Sequence, residues 1–149
     1  EVEIDRETFE LEITRYTTVD DVGRCINPMI VHGQTHGGVA QGVGQAILED
    51  CSIDISSGQP IAGSFMDYGI PRATTLPSIT AEIAEVHSPT NPLGIKAGGE
   101  GGTTPALATV VIAVLDALKA YGVTDISMPI TPQRIWSAVN LATKENSDG

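Results

Sequence analysis

The segment Gly94-Ile95-Lys96-Ala97-Gly98-Gly99-Glu100-Gly101-Gly102-Thr103 decides the fold, because it leads directly into the clearest helical pattern of the chain. Apolar residues recur after it at the intervals of one buried helix face: Leu107, Val110, Val111, Val114, Leu115 and Leu118. Thr103 or Thr104 can cap this helix. Pro105 suits its first turn and Gly122 suits its exit. The sequence therefore predicts a glycine-rich loop that faces the start of a helix.

Glu100 is the chemically notable residue of this segment, since four glycines flank a lone carboxylate just before the helix. Without side chains on either side, another molecule can approach the backbone closely, and the free amides of a helix start favour a negative charge. These properties suit a general base. A glycine linker with an incidental acid is the alternative interpretation. The segment lacks the lysine and hydroxyl residues that end a Walker A loop, so it does not predict an NTPase.

The segment from Ile30 to Glu49 contains a second glycine-rich stretch, Gly33 to Gln45, and its pattern predicts a loop at Gly33, Gly37 and Gly38 that runs into a helix ending near Asp50. Gly38, Gly42 and Gly44 each cost a helix about 1 kcal/mol relative to alanine. Such glycines predict close approach of another backbone or of a cofactor. Their spacing does not continue into the dinucleotide-binding fingerprint, so a classical NAD-binding enzyme is not indicated.

Amide and imidazole side chains accompany these glycines. The amides of Gln34, Gln41 and Gln45 both donate and accept hydrogen bonds, which suits a heteroaromatic edge or a metal oxo group. Exposed helix-surface amides are an equally good interpretation. His32 and His36 have the spacing of two metal ligands on a helix, but no acidic residue follows His32 as it does in metalloproteases. No protein-ligated metal site is predicted.

The rest of the chain predicts strands and a short last helix. Alternation predicts a hairpin from Val2–Ile4 and Phe9–Ile13, and further strands over Ile61–Ile70 and Ile79–Val86. Thr131 as cap and Pro132 at the first helical position announce a short C-terminal helix, with a frayed tail after Ala142. The predicted fold class is α+β, a single domain over residues 1–149 with a mixed or antiparallel sheet and two longer helices.

Composition limits the partners. The 149 residues carry 8 Lys and Arg against 19 Asp and Glu, a net charge of −11, which argues against nucleic acid and anionic membranes. No apolar run approaches the roughly 18 residues of a membrane span. The 2 cysteines, Cys25 and Cys51, form no disulfide or zinc pattern, so we expect a cytoplasmic protein. Glu1 already lies inside a strand pattern and no initiator methionine is present, so we expect a fragment of a longer polypeptide.

Several motifs follow one another in the order of a known family. They are Val19-Asp20-Asp21-Val22-Gly23-Arg24 with Ile26-Asn27-Pro28, the Gly33–Gln45 stretch, Gly63-Ser64-Phe65-Met66-Asp67-Tyr68 with Pro71-Arg72-Ala73, Asn91-Pro92-Leu93-Gly94-Ile95-Lys96, Gly99-Glu100, and Met128-Pro129-Ile130-Thr131-Pro132. The chain resembles the C-terminal part of the molybdenum-binding large subunit of the xanthine dehydrogenase, aldehyde oxidase and aerobic carbon monoxide dehydrogenase family. The resemblance runs from about Val2 to about Leu141, and it implies part of a larger molybdopterin-binding domain.

The resemblance implies a hydroxylase that carries molybdenum on a pterin cofactor, as molybdopterin cytosine dinucleotide in the intact enzyme. In this family a glutamate directly after a glycine acts as the base, and Glu100 matches that position. Gln34 matches the glutamine nearest the metal. The other matches to the cofactor wall are Gln41, Gly42, Gly98 and Gly99. An acidic chain without a basic patch would hold an anionic dinucleotide through backbone amides.

The implied substrate is an aldehyde, an N-heterocycle or carbon monoxide. The implied partners are the remaining N-terminal portion of the large subunit and iron–sulfur and flavin subunits or domains. A fragment of this size is expected to lack the cofactor and to be inactive alone. Two other hypotheses remain open: a non-catalytic binding or assembly module that retains the scaffold, and a divalent-metal hydrolase that uses His32 and His36.

Overall fold

The computed structural model describes the backbone of residues 1–147 and the side chains through residue 144. The helices are α1 (Pro28–Ile47), α2 (Thr103–Leu118) and α3 (Pro132–Ser147), and a 3-10 turn, Lys119–Tyr121, follows α2. The strands are β1 (Val2–Ile4), β2 (Leu11–Ile13), β3 (Tyr16–Asp20) and β4 (Ile79–Ile83). The α+β class is confirmed. The predicted glycine-rich loop before the first helix is wrong, because α1 begins at Pro28 and includes Gly33 and Gly37, with Asn27 as its N-cap.

The strands form two separate two-stranded sheets. β1 and β2 make the predicted antiparallel hairpin, with Val2 opposite Ile13. Phe9 does not belong to the second strand, because its φ of 59° places it in the connecting turn. β3 pairs in parallel with β4, with Tyr16 opposite Ile79 and Asp20 opposite Ile83. β3 was not foreseen, because its partner lies about sixty residues later in the chain.

The predicted strand over Ile61–Ile70 is wrong. These residues form turns instead, in which the Ser64 carbonyl accepts hydrogen bonds from the amides of Asp67, at 3.1 Å, and Tyr68, at 3.0 Å. No strand lies beside this segment to complete a ladder among the residues that the structure describes. Its apolar residues Phe65 and Met66 are exposed, so burial of their side chains within the described residues does not stabilise an extended conformation.

Close packing of α1 on α2 accounts for two of the three unfavourable helix glycines. A Cβ atom at Gly42 would lie 2.6 Å from Ala106 Cβ, and one at Gly38 would lie 2.8 Å from Thr103 N. Glycine at both positions lets the helix backbones approach. The third, Gly44, packs against Pro71, where a Cβ atom would come within 2.8 Å of the ring. The predicted approach of another backbone is confirmed.

Two groups of buried side chains form the core, and α2 contributes to both. The first joins the α1–α2 contact to the strands: Ile13, Tyr16, Val39, Val43, Ala46, Ala106 and Val110. The second lies under α3: Val114, Leu118, Val123, Ile126, Ile130, Ile135 and Val139. The hydrogen bond from Ile130 N to Ala46 O, at 2.7 Å, ties the segment before α3 to the end of α1.

The ends of the helices differ in part from expectation. No side chain caps α2, whose N-cap is Gly102. The predicted cap of α3 is confirmed, because Thr131 Oγ1 accepts a hydrogen bond from Arg134 N at 3.3 Å. α3 is not short, since its 16 residues equal those of α2, and it continues beyond Ala142 where fraying was expected. The predicted frayed tail otherwise falls on residues 148–149, outside the described residues.

One stretch is more apolar than the sequence analysis allowed. Thr103–Tyr121, formed by α2 and the 3-10 turn, has a mean hydropathy of 1.5 and passes a length and composition test for a membrane span. The expectation that no such run exists is therefore wrong. Core helices pass the same test, and α2 buries Ala106, Val110, Val114 and Leu118. The stretch is therefore weak evidence for a membrane segment.

Candidate functional site

The glycine loop, residues 94–102, is held at its start by the backbone that follows β3. Arg24 N donates to Gly94 O at 2.9 Å, and Lys96 N donates to Val22 O at 2.9 Å. Between these bonds Gly23 and Ile95 form an antiparallel bridge. Gly23 has a φ of 64°, and a Cβ atom there would lie 2.9 Å from Lys96 N, so this turn requires glycine.

Asp21 adds side-chain bonds to the same junction. Its Oδ1 accepts from the amides of Gly23, at 2.9 Å, and Val86, at 3.2 Å. Its Oδ2 accepts from Lys96 Nζ at 2.5 Å. The hydrogen bond from Lys96, followed by those from the Gly23 and Val86 amides, lowers the pKa of the Asp21 carboxyl below its usual value. A charged residue inside the glycine loop is thus bound to the end of a strand.

The second half of the glycine loop lies against α1. A Cβ atom at Gly98 would lie 2.6 Å from Val22 Cγ1, and one at Gly99 would lie 4.0 Å from Gln34 Nε2. Gly102 packs on the backbone of Thr35, with a Cβ position 3.1 Å from Thr35 Cα. The structure therefore brings three of the predicted site residues together: Gln34, Gly98 and Gly99. Gln34 itself is exposed.

Glu100 stands between this junction and the first turn of α2. Its side chain is exposed, and its carbonyl oxygen accepts a hydrogen bond from Thr104 N at 3.1 Å. Among the side chains and backbone groups of residues 1–144, no hydrogen bond or ion pair engages its carboxylate. In the same part of the chain, the amides of residues 97–101 donate to no backbone carbonyl. The loop thus offers an accessible carboxylate and a row of free amide donors.

Gln41 and Gly42, the remaining predicted site residues, lie two turns further along α1. Gln41 is exposed, and its Oε1 accepts a hydrogen bond from the Thr103 hydroxyl at 3.3 Å. Gly42 is buried in the contact between α1 and α2, so helix packing already explains why glycine stands there. A role for either residue in binding a cofactor stays a prediction.

Sequence reasoning missed the side chains that hold these parts in place. The hydroxyl of Thr35, a buried polar residue with 3% of its surface exposed, donates to Asp20 Oδ2 at 2.8 Å. Asp20 thus binds α1 while its neighbour Asp21 binds the glycine loop. The available signal was an Asp-Asp pair directly before a glycine turn, together with a lysine in the glycine loop.

The histidine pair has little support as a metal site. The rings of His32 and His36 have centroids 6.4 Å apart and are tilted by 49°. Among the side chains that the structure describes, no group of three or more His, Cys, Asp or Glu could hold a metal ion. The thiols of Cys25 and Cys51 are free, and Cys51 is exposed.

Comparisons with known proteins give a consistent result. A family model described as molybdopterin cofactor-binding domain matches residues 1–77. The carbon monoxide dehydrogenase large chain of Hydrogenophaga pseudoflava is 36% identical over 144 residues, covering 95% of this chain and 18% of the relative. The 6-hydroxypseudooxynicotine dehydrogenase complex subunit gamma of Paenarthrobacter nicotinovorans is 39% identical over 138 residues, covering 92% of this chain and 17% of the relative.

A solved structure extends the match to three dimensions. The crystal structure of quinoline 2-oxidoreductase from Pseudomonas putida 86 superposes with a TM-score of 0.88 at 43% identity, covering 93% of this chain and 18% of that chain. The chain spans less than a fifth of the length of these relatives. The family model ends before the glycine loop, whereas the match to the large chain of H. pseudoflava includes it.

Proposed function

The chain belongs to the xanthine dehydrogenase, carbon monoxide dehydrogenase and aldehyde oxidoreductase family of large subunits, as a fragment of their molybdopterin cofactor-binding domain, and on that premise we propose that it forms one wall of the active site of a molybdenum hydroxylase. Glu100 is the base in this proposal. The observation that carries it is the position of Glu100, exposed and without a competing bond among the described residues, directly after the Gly98-Gly99 pair that faces Gln34.

The residues present fit a pterin-borne metal better than a metal bound by the protein. The described chain offers free amides at residues 97–101, the exposed amide of Gln34, and no cluster of three ionisable ligands. Amide donors suit the phosphate and pterin oxygens of an anionic dinucleotide, even on a chain with a net charge of −11. We propose molybdopterin cytosine dinucleotide as its form. When bound, the cofactor supplies the redox chemistry by accepting two electrons from the substrate.

Each site residue of this chain then has a defined task. Glu100 accepts a proton during the oxidation, and its exposure leaves the carboxylate open to the reacting group. Gln34, whose Nε2 lies 4.0 Å from the Cβ position of Gly99, would offer its amide to the cofactor as a hydrogen-bond donor. Gly98 and Gly99 are proposed to leave the backbone open to the cofactor. Glycine at position 98 is already required by packing on Val22, whereas a Cβ atom at Gly99 would have only Gln34 Nε2 near it, at 4.0 Å. Gln41 and Gly42 are proposed to line the cofactor further along α1.

The substrate class and the partners are inferred from the relatives. Their names refer to carbon monoxide, 6-hydroxypseudooxynicotine and quinoline, and we propose an aldehyde, an N-heterocycle or carbon monoxide for this protein. One relative is a subunit of a dehydrogenase complex. We accordingly propose that iron–sulfur and flavin subunits receive the electrons in the cytoplasm. The remaining portion of the large subunit would supply the other cofactor contacts, and this fragment alone would be inactive.

The test is Glu100→Gln in the complete enzyme, because this change keeps the size of the side chain and removes its basicity. We expect kcat to fall by at least about 100-fold with unchanged molybdenum content. Glu12→Gln is the matched control, since Glu12 is an exposed residue of the β1–β2 hairpin, and it should leave kcat unchanged. Unchanged turnover in Glu100→Gln would contradict the catalytic role and favour a binding or assembly module.

A further inference from the structure

Two neighbouring carboxylates at the end of β3 bind the two sides of the candidate site. Asp20 accepts the hydroxyl of Thr35 on α1, and Asp21 accepts Lys96 Nζ in the glycine loop. We propose that Asp20 and Asp21 are positioning residues, which together set the distance between Gln34 and Glu100. This inference rests on the proposed function, because it concerns the geometry in which Glu100 would act.

On the side of the glycine loop, the attachment is made four residues before Glu100. The Arg24–Gly94 and Lys96–Val22 backbone hydrogen bonds fix the start of the loop. The ion pair with Asp21 also holds the side chain of Lys96. The side chains of Lys96 and Asp21 are 34% and 36% exposed, so the pair is only partly screened by solvent. The hydrogen bonds from Gly23 N and Val86 N hold the carboxylate itself in place.

On the side of α1, the attachment is made at the residue next to Gln34. Thr35 is almost fully buried, so loss of its hydroxyl acceptor would leave a polar group without a partner. The Thr35 backbone also packs on Gly102 at the far end of the glycine loop. A shift of Thr35 would therefore move Gln34 and the end of the loop together.

The two carboxylates share one rigid support. Asp20 closes the parallel ladder of β3 with β4, where it pairs with Ile83, and its carbonyl accepts Ala84 N at 2.9 Å. The carboxylate of Asp21 accepts a hydrogen bond from Val86 N, which lies three residues beyond the end of β4. Successive residues of an extended strand direct their side chains to opposite sides. One strand end can thus bind two elements that lie on different sides of it.

The experiment uses the complete enzyme with the variants Asp21→Asn, Lys96→Met and Thr35→Val. We expect each to lower kcat about tenfold with KM and molybdenum content unchanged, because small displacements of a catalytic group slow the reaction without weakening substrate binding. Combined with Glu100→Gln, Asp21→Asn should cause no further loss, as expected for residues that act through Glu100. Asp5→Asn is the matched control, since Asp5 also accepts two backbone amides but lies in the β1–β2 turn.

A second readout does not depend on activity. Hydrogen exchange at the amides of Arg24 and Lys96, which donate to Gly94 O and Val22 O, should become at least about tenfold faster in Asp21→Asn and Lys96→Met, and should stay unchanged in Asp5→Asn. Unchanged exchange in both loop variants, or kcat values equal to that of Asp5→Asn, would overturn the inference. If Glu100→Gln keeps full turnover, the proposed function fails, whereas the exchange experiment still decides whether Asp21 holds the loop.

Discussion

The glycine loop and the connection over residues 51–78 are both irregular, yet they are held in different ways. The glycine loop is bound to residues far away in the sequence, such as Asp21, which is 75 residues from Lys96. In the connection, the side chains of Asp54 and Ser64 bond only to residues two or three positions away. Its apolar side chains are exposed: Ile55 by 100%, Phe65 by 87% and Met66 by 93%. An irregular segment is thus fixed by its long-range partners, and the connection has few of them here.

The difference also bears on what each region contributes. The candidate site lies in the glycine loop, whose position is fixed by contacts within this chain. Exposed apolar groups of the size of Phe65 and Met66 are typical of surfaces that another protein segment covers. Since the chain spans 18% of the H. pseudoflava large chain, we expect the remaining portion of the subunit to cover the connection.

The largest effect on stability is expected where a left-handed glycine also meets close neighbours. Gly23 and Gly58 have φ values of 64° and 71°, but only Gly23 has atoms within 4 Å of an added Cβ. Gly23→Ala should lower the free energy of unfolding by about 3 kcal/mol, through strain and overlap, and Gly58→Ala by about 1 kcal/mol, through strain alone. Urea unfolding of the two variants measures both values. Equal losses would show that the two loops are held alike.

A smaller effect is expected at the link between the connection and α1. The Tyr68 hydroxyl donates to Glu49 Oε2 at 2.7 Å, one of the few long-range bonds of the connection. Tyr68→Phe should lower the free energy of unfolding by about 1 kcal/mol. Proteolysis of the variant should cut the connection faster and leave the glycine loop intact. Equal acceleration at both loops would contradict the separation of the two regions.

Acid should weaken the glycine loop through Asp21. The pKa of this carboxyl lies below its usual value of 3.8, chiefly because of Lys96. A group with a lowered pKa in the folded state contributes stability above its ordinary pKa, and this contribution is lost as the pH falls through the folded value. Asp21→Asn should therefore lose less stability than the wild type between pH 6 and pH 2, as followed by urea unfolding. An identical acid profile would show that the Lys96 contact contributes nothing to folding.

The smallest effect is expected in the exposed part of the connection. Phe65→Ser and Met66→Ser should change the free energy of unfolding of this chain by less than about 0.5 kcal/mol, because neither side chain packs on it. In the complete subunit the same changes should be clearly destabilising, by thermal unfolding, if another segment covers them. A large loss already in the isolated chain would mean that these side chains pack within it.

What the sequence could predict was local. The spacing of apolar residues predicted α1 and α2, and the glycines at positions 38 and 42 predicted their close contact. β3 was not predicted because its parallel partner, β4, lies far away in the sequence. The strand over Ile61–Ile70 was predicted wrongly because a sequence pattern does not reveal whether a neighbouring strand is present to pair with it. Motifs singled out Glu100, Gln34 and Gly99, but the proximity of Gln34 to Gly99 is seen only in the structure. Asp20, Asp21 and Lys96 likewise act through contacts that only the folded chain creates.

The parallel pairing of β3 with β4 has a further consequence for how the chain reaches its native state. The hairpin and α1 need only neighbouring residues, and such local structure forms quickly. The β3–β4 pair closes a loop of about sixty residues. Closing this loop lowers the conformational entropy of the chain before the strand contacts can stabilise the pair. During synthesis on the ribosome, Asp21 therefore cannot bind its partner until Lys96 has emerged, and the site region is expected to be among the last parts of the chain to fold.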